Sequence, residues 1–161
     1  MRQETVTLYK FNELDDTAKN RAREWYLDGL EFPWFNEYID SIKAFCDEFN
    51  ITLEDYSLGG YREYIKTNAS NANFRGFNLK DCENLKSRDL TGFCGDCIKD
   101  KFCEVFANTG DALKAFNDAL KYILIVIRDD IDAFYSQESI DEMLDVNEYE
   151  FFETGKFGQI H

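Results

Sequence analysis

Apolar side chains recur every three or four positions in several stretches of the chain, a spacing that predicts amphipathic helices. The first predicted helix opens at Asp15, a residue type that caps helix N-termini, and ends near Gly29. The second follows Pro33, because proline is tolerated in the first turn of a helix. Its outer face is acidic, which indicates that this face is exposed.

The longest helical pattern covers residues 111–135, and its segment from Tyr122 to Ile127 is apolar on every side. A helix without a polar face is usually buried, so this helix is expected at the centre of the fold. Shorter helices are predicted over residues 96–106 and from Ser139 to Asn147, with a helical turn at 81–85.

Alternating β-branched and aromatic residues predict short strands at 4–10, 51–56, 61–67, 73–77 and 148–152. Gly59-Gly60 predicts a turn between the second and third of these, and the three middle strands are expected to form a meander. The predicted fold class is therefore α+β: a small, mainly antiparallel sheet packed against four to six helices. One domain is predicted over residues 1–161, with residues 154–161 as a frayed tail.

Composition adds a charge argument to this picture. Hydrophobic residues make up 44% of the chain, enough for a core, but 32 acidic residues against 18 basic ones give a net charge of −14. Such a charge argues against direct binding to nucleic acid or to an anionic membrane. It favours a basic partner, namely a basic host protein or a nucleoprotein complex. The alternative is that the negative charge serves only solubility.

The acidic residues are concentrated near the C-terminus, where no Lys or Arg occurs between residues 129 and 155. Ten acids fall there: Asp129, Asp130, Asp132, Glu138, Asp141, Glu142, Asp145, Glu148, Glu150 and Glu153. Apolar residues alternate with them, which indicates a folded acidic surface and not a disordered tail. These ten residues are the predicted partner-binding site, and the alternative is an ordinary solvated face.

No apolar run is long enough to span a bilayer, and the N-terminus has no signal-peptide pattern, so a cytoplasmic protein is expected. The five cysteines are then expected as reduced thiols. Cys94 and Cys97 have the spacing with which two thiolates hold zinc, and Cys82 and Cys103 are candidates for the remaining ligands. Buried structural thiols and a redox pair are the alternatives. We predict no cofactor, with zinc as the alternative.

An enzyme is not predicted. The single histidine is His161, the last residue, so a mechanism that needs a buried histidine base has no candidate. Gly59-Gly60 opens no helix and lacks the fingerprint of a phosphate-binding loop. A pair of carboxylates hidden among the many acids would leave a hydrolase as an alternative.

Both ends of the chain resemble segments of one group of known proteins. The segment Phe-Asn-Glu-Leu-Asp-Asp-Thr-Ala-Lys at 11–19, with Ala22 and Trp25-Tyr26 after it, resembles the opening of small phage-encoded accessory proteins that are often labelled antitoxin-like. Residues 140–151 and 154–156 resemble the close of the same group. The resemblance implies a phage or prophage origin and an accessory role. It carries no catalytic residue across.

The functional hypothesis joins the acidity to this resemblance. The protein is predicted to inhibit a host nucleic-acid-directed defence complex, of the anti-CRISPR or anti-restriction type, by placing its acidic face in a basic nucleic-acid-binding channel. The alternative is a small antitoxin-like or zinc-stabilised regulatory protein that binds a protein partner without nucleic-acid mimicry.

Overall fold

A computed structural model describes residues 3–88 and 95–159. The fold is α+β, as predicted. The chain divides into two compact units: a terminal unit of Met1–Phe32 with Ile131–His161, and a central unit of Pro33–Asp130. The two are described separately below, and the single domain over residues 1–161 stays a prediction.

Six α-helices lie in the described residues: α1 (Asp16–Asp28), α2 (Phe35–Asp47), α3 (Leu79–Ser87), α4 (Gly95–Thr109), α5 (Ala112–Phe134) and α6 (Gln137–Val146). The strands are β1 (Tyr9–Lys10), β2 (Leu53–Ser57), β3 (Tyr64–Thr67), β4 (Glu150–Phe151) and β5 (Phe157–Gln159). Short 3-10 turns cover Phe11–Glu13 and Asn71–Phe74.

Side-chain caps explain where several helices begin. The carboxylate of Asp15 accepts a hydrogen bond from the Ala18 amide at 2.8 Å, which confirms the predicted start of α1. Asp111 accepts from the Lys114 amide at 3.1 Å at the start of α5. The cap of α6 is Ser136, whose hydroxyl accepts from the Ser139 amide at 3.3 Å. The predicted start at Ser139 was therefore three residues late.

In the terminal unit, α1 and α6 pack together over a sheet of order β1-β4-β5, in which both pairs are antiparallel. Small side chains, Ala18 and Ala22, face the core from α1. The core also contains Phe11, Leu14, Ile140, Leu144 and Phe151. Ile140 and Leu144 lie one helical turn apart, so together they fix which face of α6 is buried.

The C-terminal segment pairs with β4 as β5 and packs on this core through Phe157, while the frayed tail expected over residues 154–161 stays a prediction. The Phe157 ring stacks on Trp25 with centroids 4.4 Å apart and planes 4° apart. Gly155 has a φ of +87°, and a Cβ there would lie 2.1 Å from the Ala18 carbonyl oxygen. Only glycine allows this approach. Residues 160 and 161 lie outside the described residues.

The core of the central unit is rich in phenylalanine. The rings of Phe45 and Phe116 stack with centroids 5.2 Å apart, and Phe49 and Phe102 meet at 5.0 Å. Aromatic pairs of this kind add about 0.5–1.5 kcal/mol each beyond their buried area. They join α2, α4 and α5 around one core.

Helix α5 buries one face, with Phe116, Ile123 and Ile127, whereas Tyr122 and Ile125 are 36% and 55% exposed. The prediction that this apolar segment is buried on every side is therefore wrong.

The predicted meander was wrong. β2 and β3 form an isolated antiparallel hairpin, and residues expected as a third strand at 73–77 belong partly to the 3-10 turn Asn71–Phe74. Asn73 explains the change, because its side chain accepts from the Ser70 amide at 2.9 Å and donates to the Phe49 carbonyl at 3.2 Å. Asparagine side chains compete in this way with strand ladders. The predicted strand at 4–10 is likewise reduced to Tyr9–Lys10.

Candidate functional site

The negative charge of the protein is concentrated in the terminal unit. This unit contains 15 acidic and six basic residues, a net charge of −9, whereas the central unit contains 17 and 12, a net charge of −5. The terminal unit is also the shorter of the two. Its charge density is therefore higher, and its acidic surface is the first candidate for a functional site.

Helix α6 aligns three of the predicted acids. Ile140 and Leu144 are buried on its inner face, while Glu138, Glu142 and Asp145 are exposed. Spacings of four and three residues place these carboxylates on one side of the helix. We call them the acidic stripe. No Lys or Arg occurs anywhere in α6.

The charges of the stripe are farther apart than the phosphates of a nucleic-acid strand. At the standard helical rise, Glu138 and Glu142 are separated by about 6 Å along the axis, and Glu142 and Asp145 by about 4.5 Å. One strand of B-DNA carries a phosphate about every 3.4 Å of axis. The stripe is thus less dense than DNA, but it places successive negative charges within reach of the same row of basic side chains.

This arrangement has opposing effects on the stability of α6, because Glu138 in the first turn suits the helix dipole whereas like charges three and four residues apart repel each other. Like charges three or four residues apart destabilise a helix by about 0.2–0.5 kcal/mol a pair. Asp145 also lies in the last turn, where the helix dipole disfavours a negative charge. An exposed helix face selected for stability alone would alternate acidic with basic residues. The stripe contains no basic residue that would offset this repulsion.

Asp141 belongs to the same helix but has a structural partner. Its two carboxylate oxygens accept from the Nε and Nη2 of Arg23 at 2.7 and 2.9 Å. Arg23 also donates to the Asn20 side chain at 2.7 Å and lies over the Phe11 ring, 5.4 Å from its centroid. The hydrogen bond with Asp141 is the main cause that raises the pKa of Arg23. Asp141 therefore attaches α6 to α1.

Asp145 has a partial anchor as well, because Asn12 donates a side-chain hydrogen bond to it at 2.6 Å. An amide donor leaves the charge of the carboxylate uncompensated. Asp145 therefore stays in the stripe, with its position restricted by Asn12.

The other predicted acids are distributed over both units. Asp132, Glu148 and Glu153 are exposed in the terminal unit, and Glu150 is half-buried there. Asp129 and Asp130 belong to the central unit, where the Tyr38 hydroxyl donates to Asp130. The structure thus aligns three of the ten acids on one helix face and assigns Asp130 and Asp141 to internal contacts. The binding role of the ten stays a prediction.

The cysteines are arranged mainly as buried thiols. Cys82 and Cys103 lie between α3 and α4, where the Cys103 sulfur is 3.8 Å from the Cys82 carbonyl oxygen. Burial raises the pKa of Cys103 to about 12. Cys97 is exposed, and six residues along α4 separate it from Cys103 by about 9 Å and two thirds of a full rotation. One zinc ion, with sulfur ligands at about 2.3 Å, cannot reach both.

Cys94, the other half of the predicted pair, lies outside the described residues. Within residues 3–88 and 95–159, no group of three or more His, Cys, Asp and Glu side chains is arranged to hold a metal ion. A zinc site that includes Cys94 and Cys97 stays a prediction.

A polar cleft of about 340 Å³ in the central unit contains two carboxylates, Glu48 and Asp81. Glu48 pairs with Arg88 at 2.8 Å, and Asp81 accepts from the backbone amide of Asn78, the N-cap of α3, at 2.9 Å as part of a capping box. Both carboxylates therefore have structural partners. The hydrolase alternative stays a prediction.

Sequence reasoning missed Arg23 and Asn12, which contact α6 through Asp141 and Asp145. Arg23 looked like one of several basic residues on an exposed face of α1. Its partner lies 118 residues away, and neither local spacing nor composition carries a signal of such a contact.

Comparison with protein-family models, with characterised proteins and with solved structures gave no significant match. The resemblance to phage accessory proteins therefore stays a prediction from the quoted residues. In the part of the chain that the structure describes, no helix has the length and apolar character needed to cross a membrane.

Proposed function

We propose that the protein is a binding protein whose acidic stripe, Glu138, Glu142 and Asp145, docks on a Lys- and Arg-lined surface that otherwise holds nucleic-acid phosphates. The observation that supports this proposal is the alignment of three exposed carboxylates on a helix without a single basic residue. The row of like charges lacks the basic partners that would stabilise an exposed helix face, and this supports a role in recognition.

The stripe is preorganised for such docking. The buried Ile140 and Leu144 fix the rotation of α6, and the Arg23–Asp141 pair fixes its position on α1. A rigid row of charges loses little conformational entropy when it binds. Complementary charge also steers the encounter and makes affinity fall as salt rises.

The class of partner follows from charge and from the resemblance. A basic channel for DNA or RNA supplies a row of Lys and Arg at the right spacing, and small phage accessory proteins meet such channels in host defence complexes. The proposed target is therefore a host nucleic-acid-directed defence complex, of the anti-CRISPR or anti-restriction type, met in the host cytoplasm. The protein acts there by occupying the channel, without a chemical step.

The proposal is tested by neutralising the stripe. The variant Glu138→Gln, Glu142→Gln, Asp145→Asn removes three charges and keeps an acceptor oxygen for Asn12. The matched control, Glu37→Gln, Asp40→Asn, Asp47→Asn, removes three exposed acids from α2. Each protein is immobilised, incubated with host lysate at low and at high salt, and the captured proteins are identified by mass spectrometry.

We expect the wild type and the α2 control to capture the same nucleic-acid-binding complex at low salt and to lose it at high salt, while the stripe variant captures none. Added DNA or RNA should compete with the wild type. Equal loss by both variants would show that bulk charge acts and not the stripe. Capture that is independent of salt and of nucleic acid would contradict the electrostatic mechanism.

A further inference from the structure

Two buried thiols face each other in the central unit, where α3 packs on α4. Cys82, on α3, and Cys103, on α4, are 5% and 3% exposed. The Cys103 sulfur lies 3.8 Å from the Cys82 carbonyl oxygen, and the two thiols also form a hydrogen bond with each other. Each sulfur therefore has the other as a direct neighbour.

A second contact, one helical turn away, fixes how α3 lies on α4. The buried Lys99 donates from its Nζ to the backbone carbonyl of Lys86 at 3.3 Å and to that of Arg88. Lys99 precedes Cys103 by four residues on α4, and residues four apart lie on one face of a helix. Lys86 follows Cys82 by four residues on α3. The two helices are thus joined in antiparallel register at two successive turns, and this register brings one thiol to the other.

The two thiols differ in how readily they ionise. Burial, and then the hydrogen bond with Cys82, raise the pKa of Cys103 to about 12. Burial also raises the pKa of Cys82, but there the hydrogen bond with Cys103 and the charge of Lys86 act in the opposite direction. The thiolate is the form that attacks a disulfide, so Cys82 is the first nucleophile of the pair.

We propose that Cys82 and Cys103 form a site of oxidative modification, at which a small-molecule disulfide such as glutathione disulfide converts the two thiols into an intramolecular disulfide. The Cys82 thiolate attacks one sulfur of the oxidant, forms a mixed disulfide and releases one glutathione. Cys103 then attacks the Cys82 sulfur and releases the second glutathione. The protein gives up two electrons and two protons, and the oxidant takes them and becomes two thiols. The inference is independent of the acidic stripe and of the function proposed for it.

Access to the pair depends on α3. Both thiols are buried, so an external oxidant reaches Cys82 only when α3 separates from α4. Helix α3 has nine residues, and isolated helices shorter than about 12–15 residues are marginal in water, so its position depends on its packing. Local opening of such an element is the expected route. The second step needs no access from solvent, because Cys103 attacks within the molecule.

The disulfide changes the stability of the central unit. It joins α3 to α4 and closes a loop of 22 residues, counted from Cys82 to Cys103. Closing a loop of this size removes more freedom from the unfolded chain than from the folded one. The oxidised protein is therefore the more stable form, and α3 stays on α4 until a reductant cleaves the bond.

The test incubates the reduced protein with glutathione disulfide at pH 8 without denaturant, blocks the remaining thiols with N-ethylmaleimide and maps the peptides by mass spectrometry without reduction. We expect a cross-linked peptide pair that joins Cys82 to Cys103 and is lost after dithiothreitol. The urea midpoint, followed by circular dichroism, should rise by about 1 M on oxidation. A Cys94→Ser, Cys97→Ser variant removes the other candidate pair and should give the same cross-link.

Controls separate this site from ordinary buried thiols. Cys103→Ala should stop at the first step and accumulate the mixed disulfide at Cys82, whereas Cys82→Ala should react at least about tenfold more slowly. Cys46, which is similarly buried on α2, is the internal control and should stay reduced in the same sample. The proposal is overturned if the cross-link forms only in urea-unfolded protein, if Cys46 is oxidised as fast as the pair, or if the disulfide lowers the urea midpoint.

Discussion

The pair between Arg23 and Asp141 offers the sharpest test of how the terminal unit holds α6. Replacing Arg23 with alanine removes both hydrogen bonds to Asp141, the bond to Asn20 and the contact with the Phe11 ring. The side chains of Arg23 and Asp141 are 18% and 30% exposed, so the pair lies between the surface and the interior. Exposed pairs contribute about 0.2–1 kcal/mol, and breaking a buried pair costs about 3–5 kcal/mol.

For Arg23→Ala we therefore expect the free energy of unfolding to fall by about 2 kcal/mol, since a bidentate, partly shielded pair lies between those limits. Arg23→Lys keeps the charge but cannot form the fork, and should lose about 1 kcal/mol. Urea denaturation followed by the fluorescence of Trp25, in a Trp34→Phe background, reports on the terminal unit. A loss of 2 kcal/mol shifts the urea midpoint by about 0.7–2 M at ordinary m-values.

The matched control is Arg21→Ala, because Arg21 is exposed on the same helix. It should change the free energy of unfolding by less than about 0.5 kcal/mol. A double-mutant cycle with Asp141→Asn isolates the pair itself, and we expect a coupling of at least about 1 kcal/mol. A coupling indistinguishable from zero, or equal losses for Arg21→Ala and Arg23→Ala, would refute the account of α6 as anchored by this pair.

Two further predictions concern packing and thiols. Gly155→Ala should lower the free energy of unfolding by at least about 2 kcal/mol, because the added Cβ would overlap the Ala18 carbonyl. The control is Gly29→Ala, where no atom lies near the added carbon, and it should have little effect in the same urea assay. Iodoacetamide at pH 8 should modify the exposed Cys97 in the native protein and should modify Cys46 and Cys103 only after unfolding. Peptide mapping would identify the modified residues. Rapid labelling of Cys103 in the native protein would contradict its burial. Burial raises the pKa of Cys46 and of Cys103 from 9.0 to about 12, while unfolded thiols ionise near their ordinary value. These two residues should therefore make the free energy of unfolding fall as pH rises from about 9 towards 12, as urea titrations at several pH values would show. A Cys46→Ala, Cys103→Ala variant should lose that part of the pH dependence.

Local patterns identified most of the helices, although α3 was predicted only as a helical turn and the start of α6 was placed too late. The caps at Asp15 and Asp111 and the apolar period of α5 depend on residues a few positions apart, so they can be recognised in the sequence. The acidic stripe was contained in the same pattern, because Ile140 and Leu144 identify the inner face of α6 and thereby the outer one. The pattern did not distinguish Asp141 from the three acids of the stripe, although Asp141 lies on the same helix and anchors it to α1.

Long-range contacts explain the errors. The meander failed because the Asn73 side chain binds the backbone at Phe49 and turns the chain into a 3-10 helix. The stacking of Phe157 on Trp25, more than 130 residues earlier in the chain, was likewise not predicted. Neither contact leaves a periodic signal, since each depends on two segments that only the folded chain brings together.

The sequence by itself determined the α+β class, the acidity and the position of the amphipathic helices, because charge is additive and helical faces repeat every few residues. Only the tertiary structure decided which acids remain free, that Arg23 holds α6 through Asp141, and that Cys82 and Cys103 face each other between α3 and α4. Those facts depend on side chains from distant elements meeting at distances of a few ångströms, and no property of either segment alone contains them.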